Sequence, residues 1–235
     1  DLRTWFDFHD DTCRFIKKYP AVMNADVVNI YPASVDRLSA KRVREVILIM
    51  SEIKKRKRSV CLVIAAQWAT GRTQKQNIDH YKSIATQVGL VPDVDFIFTS
   101  DFEPPKFDVG IPKRFLRELM LCANVFIFPT REESFGLIFP EVCLSSAVIP
   151  LANKSLRMLG EVAGNNGLFF DFGSFHHSVT NKNTARYFSD MAGLILGRME
   201  QNESVKIKTY MRQTYNYDNL YYREYEPLFS ETRTW

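Results

Sequence analysis

Val125-Phe126-Ile127-Phe128-Pro129, running on through Thr130-Arg131-Glu132-Glu133-Ser134-Phe135-Gly136-Leu137-Ile138-Phe139-Pro140-Glu141, is the stretch whose reading decides the fold. An unbroken apolar run of this length marks a strand buried on both faces, as in a parallel sheet. Polar and glycine residues then interrupt it, and an apolar run with Pro140 near its start predicts a helix, because a first helical turn tolerates proline. A strand that opens through a glycine turn into a helix presents free backbone N–H groups, which hold anions. Glu133 and Glu141 bracket that turn, and each carboxylate accepts several hydrogen bonds, so the segment suits an anion that also carries hydroxyl groups. Glu132 and Glu133 would also complement a helix macrodipole. Both readings stand at this point.

Outward from this segment, short apolar runs alternate with amphipathic stretches. Val27-Val28-Asn29-Ile30-Tyr31 reads as a first strand ended by Pro32. A helix is expected from about Ser39, with Val43, Val46, Ile47, Met50 and Ile53 on one apolar stripe. Val60-Cys61-Leu62-Val63-Ile64-Ala65 is the next strand, followed by a helix from Gln76 to Val88 that Gly89 stops. Asp95-Phe96-Ile97-Phe98-Thr99 leads into an irregular loop with Pro104, Pro105, Gly110 and Pro112. A helix over 113–122 precedes the decisive strand. Val148-Ile149-Pro150-Leu151 and Leu168-Phe169-Phe170 read as further strands, and the pattern is helical from about Asn181. This rhythm predicts an α/β, Rossmann-like doubly wound parallel sheet over 25–180, preceded by a segment 1–24 and followed by a helical extension 181–235. Ligands of such sheets bind at the carboxyl ends of the strands.

The composition fits that class. Among 235 residues, 46% are hydrophobic and 25% charged, the balance of a soluble globular chain. A net charge of +4 permits an anionic ligand and does not argue for nucleic acid. Cys13, Cys61, Cys122 and Cys143 lack paired or metal-ligand spacing and read as buried thiols in a reducing compartment. No signal-peptide pattern and no apolar run of about 18 residues is present. Gly71-Arg72-Thr73 lacks P-loop spacing, no GxGxxG follows the first strand, and no GxSxG elbow occurs, which weighs against nucleoside-triphosphatase, dinucleotide-oxidoreductase and hydrolase readings. His176-His177 has no companion ligands and reads as loop surface. Lys54-Lys55-Arg56-Lys57-Arg58 reads as the solvated basic end of a helix.

A second candidate follows the first strand, in Tyr31-Pro32-Ala33-Ser34-Val35-Asp36-Arg37-Leu38-Ser39-Ala40-Lys41. Arg37 and Lys41 stand four residues apart at a loop-to-helix turn, where they grip a diphosphate or form a solvated pair. A lysine at a helix start opposes the macrodipole, and an anion there relieves the conflict. Both loops leave the carboxyl edge of a parallel sheet, so both face one ligand. Phosphate plus hydroxyls points to a sugar nucleotide.

Arg-x-x-x-Lys after the first strand, with Glu-x7-Glu written Glu133-Ser134-Phe135-Gly136-Leu137 and closing on Glu141, resembles the retaining GT-B glycosyltransferases of family 4 over roughly residues 25–175. The resemblance implies the carboxyl-terminal, donor-binding lobe of a hexosyltransferase that uses a nucleoside-diphosphate sugar, with no cofactor and no obligatory metal. It implies that Glu133 contacts the donor sugar and Glu141 the ribose. Backbone amides around Ser134, Phe135, Gly136, Leu137 and Ile138 would approach the phosphates, and Arg37 and Lys41 would stabilise the departing diphosphate. Catalysis would then fall to Arg37, Lys41 and Glu133. Asp1-Leu2-Arg3-Thr4-Trp5-Phe6, which lacks an initial methionine, resembles the segment after the interdomain hinge. That implies a fragment without its amino-terminal acceptor domain, which binds nucleotide and turns over poorly alone. The aromatic closing helices, Tyr215 to Phe229, would face the missing half. A cytoplasmic location, and a peripheral membrane contact through lipid-linked acceptors, are further expectations.

Three departures mark the chain. Asp36 replaces a usual glycine, Ala65-Ala66-Gln67 replaces a glycine turn, and Ser145-Ser146-Ala147-Val148 replaces a small-residue Gly-x-Pro run. Glu161 and Asn166-Gly167 match the family more weakly. Donor base and sugar are expected to depend on the loops at Gln67, Ser100-Asp101 and Thr130-Arg131. Alternative readings are an epimerase or phosphorylase of the same fold, or a non-catalytic interaction domain.

Overall fold

The computed structural model describes residues 7–133, 136–174 and 185–231. The apolar runs form six parallel strands: β1 Val27–Ser34, β2 Val60–Gln67, β3 Phe96–Phe98, β4 Val125–Phe128, β5 Ile149–Asn153 and β6 Leu168–Phe170. Their order is β3-β2-β1-β4-β5-β6, the doubly wound topology expected from the sequence. Val60 to Ala66 and all of β4 are buried, as strands covered on both faces by helices must be. The helices are α1 Asp10–Lys18, α2 Ala21–Asn24, α3 Val43–Lys55, α4 Arg72–Gln87, α5 Lys113–Cys122, α6 Ile138–Ser145, α7 Arg157–Ala163, α8 Ala185–Glu200 and α9 Ser204–Thr214. A last helical stretch comprises α10 Tyr217–Leu220, a π-helical turn Tyr221–Tyr225 and α11 Glu226–Glu231. His176-His177 and the extremes of the chain lie outside the described residues.

Among the boundaries that differ from expectation, two move the site. β1 does not end at Pro32 but continues to Ser34, in register with Gln67 of β2. β4 pairs with β1 at Asn29↔Val125 and then leaves it, and a strand with one open flank accommodates a residue that lacks an N–H. The following helix starts at Val43, not near Ser39, because Arg42 adopts the left-handed region at φ 54°. Lys41 therefore sits in a loop ahead of α3, and its conflict is not with that helix's dipole.

Polar side chains stitch the layers where backbone pairing is sparse. Asn124 Oδ1 accepts the Val28 N–H at 2.8 Å and its Nδ2 donates to the Asp26 carbonyl at 2.8 Å, which fixes β4 beside β1. Asn153, fully buried at the end of β5, donates to the carbonyls of Thr130 (2.8 Å) and Gly173 (2.7 Å). Its Oδ1 accepts the N–H groups of Ser155 and Phe172, both at 3.1 Å. The basic run 54–58, which ends α3 and continues past it, is exposed from Lys55 on, yet four of its five cations hold partners in the fold. Lys54 bonds Asp95 at 2.6 Å and Lys55 pairs with Glu52, while Arg56 donates to Ser189 and Arg58 to Glu200 on α8.

Glu118 on α5 clamps the amino-terminal segment. It is buried and accepts the Thr12 hydroxyl, the His9 N–H at 3.0 Å and Arg114 Nε at 2.8 Å. Burial pushes its pKa up, but these donors outweigh burial and hold it below its ordinary 4.5. A carboxylate depressed in the folded state adds stability that is present above the unfolded value and is lost as pH falls through the folded one. Wild type is thus expected to lose stability below pH 4.5, and Glu118→Gln to flatten that part of the acid limb. Urea midpoints measured at about pH 3 and about pH 7 check this.

All four cysteines are free, with Cys61 and Cys143 buried and Cys13 and Cys122 half-buried. Burial pushes the Cys61 and Cys122 thiols up to about 12, so neither is a ready nucleophile. Among the described residues no helix is long and apolar enough to cross a membrane.

Candidate functional site

The chain reverses its winding between β1 and β4, and a crevice opens outside their carboxyl ends. It holds a cleft of about 640 Å³, lined on one side by Ser34, Arg37 and Lys41 and on the other by Glu133, Ile138 and Glu141. The two loops singled out from the sequence, some 90 residues apart, therefore meet in one cavity. Ser134 and Phe135 lie outside the described residues.

The two loops are cross-linked. Lys41 Nζ forms an ion pair with Glu133 Oε1, and the side chains are only 13% and 14% exposed. Arg37 Nη2 pairs with Glu132 Oε1 nearer the surface. The Arg131 N–H donates to the Ala40 carbonyl at 2.9 Å. Lys41 lies 5.7 Å from the Phe128 ring centre, within cation–π range. The Tyr31 hydroxyl donates to the Lys41 carbonyl at 2.7 Å. Burial, then Glu133 and Glu45, push that hydroxyl's pKa well up, so it stays a donor. Thus Glu132 and Glu133 do not complement a helix start: α6 begins at Ile138, and both acids turn to the cations of the opposite loop.

Asp36 accepts Gln74 Nε2 at 2.9 Å, and Asn77 Nδ2 donates to the Val35 carbonyl at 2.7 Å. The loop is thereby anchored on α4. Gly136 makes the turn into α6 with φ +67°, where a side chain is strained. The N–H groups of Phe139 and Glu141 are taken by the carbonyls of Gly136 and Leu137, and Pro140 has none. Anion contact in this segment therefore rests on the amides ahead of Phe139. Glu141, exposed in the first turn of α6, has no cation partner among the described residues.

A Cβ at Gly136 would lie 2.8 Å from Met158 Cε and 3.5 Å from Leu159 Cδ2. Gly136→Ala is expected to cost about 1–2 kcal/mol in urea unfolding, mostly from the left-handed backbone. A second change, Met158→Ala, should relieve the contact but not the backbone cost. Full recovery in the double variant would show that the backbone here is unstrained.

α5 contributes a wall that the sequence reading did not assign, with Lys113, Leu116, Arg117 and Met120 facing the cleft. Their i, i+3, i+4, i+7 spacing after Pro112 was the available signal, since it puts all four on one helical face. Of the loops expected to select the donor, Gln67 lines the cleft, whereas Ser100 and Asp101 line a separate cavity of about 260 Å³. Thr130 is buried and supports the turn by donating to the Glu132 carbonyl at 2.9 Å. Glu161 and Asn166 do not line the cleft.

No protein-family model matches the chain, and no curated protein does. Solved structures share its architecture. The C-terminal domain of the group 1 glycosyl transferase LpcC from Francisella tularensis superposes with TM-score 0.59 at 13% identity, over 89% of this chain and 94% of that domain. A glycosyltransferase from Rickettsia africae gives 0.59 at 14%, over 87% of this chain and 46% of that one. Anabaena HepE, solved with UDP and glucose, gives 0.59 at 14%, over 94% and 52%. The chain spans about half the length of these last two proteins. At such identities the likeness is one of fold, and the fold is that of the C-terminal domain of GT-B glycosyltransferases.

Proposed function

We propose that this chain is the donor-binding part of a retaining glycosyltransferase, which transfers a hexose from a nucleoside-diphosphate sugar to an acceptor hydroxyl. One observation carries the reading: the Arg37/Lys41 loop and the Glu133–Glu141 segment converge on one cleft at the β1/β4 switch point. A phosphate anion competes with Glu133 for Lys41, and the displaced Glu133 carboxylate becomes free to accept from sugar hydroxyls. Glu141, with no cation partner among the described residues, accepts from the two ribose hydroxyls. As the bond from the anomeric carbon to the phosphate oxygen breaks, its electrons stay on the diphosphate. Lys41, Arg37 and the amides at Gly136, Leu137 and Ile138 face that growing charge and lower the barrier, so the reading invokes no metal. Among the neighbours, HepE was solved with UDP, and with UDP-glucose, which supports a nucleotide sugar as ligand. The acceptor hydroxyl, on this reading, is held by an amino-terminal domain beyond this chain, and the 235 residues alone turn over poorly. Four free thiols support a reducing, cytoplasmic setting.

Calorimetric titration with UDP, GDP and ADP tests the proposal. At least one is expected to bind saturably, and Glu141→Ala to weaken it about tenfold through the lost charged hydrogen bonds. Absence of saturable binding by all three would refute it.

A further inference from the structure

The part of the cleft that the two loops leave unexplained lies against α5. Lys113 and Arg117 line it together, and neither has a carboxylate partner among the described residues. Three other cations on α5 or in the cleft are paired. Arg114 holds Glu118 at 2.8 Å, Arg37 holds Glu132 and Lys41 holds Glu133. Across from α5, the apolar side chain of Ile138 and the carboxylate of Glu141 face them from α6, and Leu116 and Met120 complete an apolar wall. A flat group entering here meets aliphatic surface on its faces and two cationic donors at its edge.

The proposed donor reading fixes what that flat group is. With the sugar at Glu133, the diphosphate at the amides before α6 and the ribose at Glu141, the next group along the ligand is the nucleobase. We propose that Lys113 and Arg117 read the base edge and select guanine, so that the donor is a GDP-sugar. This inference rests on the donor reading and goes beyond it by naming the base. Lysine and arginine donate hydrogen bonds and accept none. The arginine fork places two parallel N–H groups side by side, and it needs two adjacent acceptors. Guanine offers O6 and N7 on one edge. Adenine sets its N6 amino donor beside N7, and a uracil edge has the single acceptor O4. Lys113 neutralises no acid on its own helix and adds a second donor to the same edge.

The test is calorimetric titration of the 235-residue chain with GDP, UDP and ADP, in wild type, Arg117→Ala, Arg117→Lys and Lys113→Ala. Both side chains are exposed and have no carboxylate partner among the described residues, so the variants should match wild type by circular dichroism. Wild type is expected to bind GDP at least about tenfold more tightly than UDP or ADP. Arg117→Ala should weaken GDP to the level of UDP and leave UDP and ADP unchanged. Arg117→Lys, which keeps the charge and loses the fork, should not restore the preference, and Lys113→Ala should narrow it. Equal or tighter binding of UDP or ADP by wild type overturns the base assignment and leaves the donor site standing. An Arg117→Ala variant that weakens all three nucleotides alike also overturns it, because a charge or stacking contact is blind to the base. If wild type binds none of the three, the donor reading falls and the base assignment falls with it.

Discussion

Lys41→Ala is expected to weaken nucleoside-diphosphate binding by roughly 100-fold, the largest effect of any single change in the cleft. Two losses combine. The variant removes a charge-assisted bond to phosphate, of the kind that contributes about 1.5–3 kcal/mol. It also leaves Glu133, only 14% exposed, without its cation and facing the incoming anion. The second loss can be separated from the first. In Lys41→Ala with Glu133→Gln the repulsion is gone, and binding should recover part of the way. Glu133→Gln alone should leave nucleoside-diphosphate affinity unchanged or tighter, because it frees Lys41. If Lys41→Ala binds like wild type, the diphosphate does not reach this loop. Calorimetry on the four proteins of the cycle measures the coupling directly.

Asn153→Leu should be the most damaging change to stability. The leucine matches asparagine in size but leaves three buried backbone groups unpaired, the carbonyls of Thr130 and Gly173 and the N–H of Phe172, together with the half-buried N–H of Ser155. An unsatisfied buried polar group costs about 1–3 kcal/mol, and with partial relaxation the sum reaches roughly 4 kcal/mol. Whole domains are stable by only about 5–15 kcal/mol, so the urea midpoint should fall by a large fraction. Thr130 supports the turn that carries Glu132 and Glu133, so nucleotide affinity should drop in the same variant. A midpoint close to wild type would mean that the Asn153 bonds are replaceable by water.

The sheet was legible because its strands are short, apolar and buried on both faces, so composition alone reports their environment. β4 and β6 fall at their expected residues, and Gly89 ends its helix at φ +87° as a helix-stopping glycine should. Boundaries governed by a single backbone angle were not legible. Nothing in the identity of Arg42 announces a left-handed residue, and it is this residue that sets the start of α3 and leaves Lys41 in the loop. Both site loops were legible as loops with charges. Their pairing was not, because the Lys41–Glu133 and Arg37–Glu132 contacts exist only once the sheet sets β1 beside β4. Lys113 and Arg117 were hidden for a related reason. On an amphipathic helix, cations read as a solvent face, and only the position of α5 at the crevice turns that face into a wall of the cleft. The run Lys54 to Arg58 shows the converse, since exposed cations that read as free are held by α8 and by neighbours on and beside α3.

The most direct measurement is the crystal structure of this chain with a bound nucleoside diphosphate. The diphosphate is expected between Lys41 Nζ and the amides of Gly136, Leu137 and Ile138, with the Lys41–Glu133 pair opened and the ribose hydroxyls on Glu141. A nucleotide seated elsewhere, in the cavity beside Ser100 and Asp101 for instance, would contradict it. So would one in the cleft that leaves Lys41 on Glu133 and does not touch Glu141.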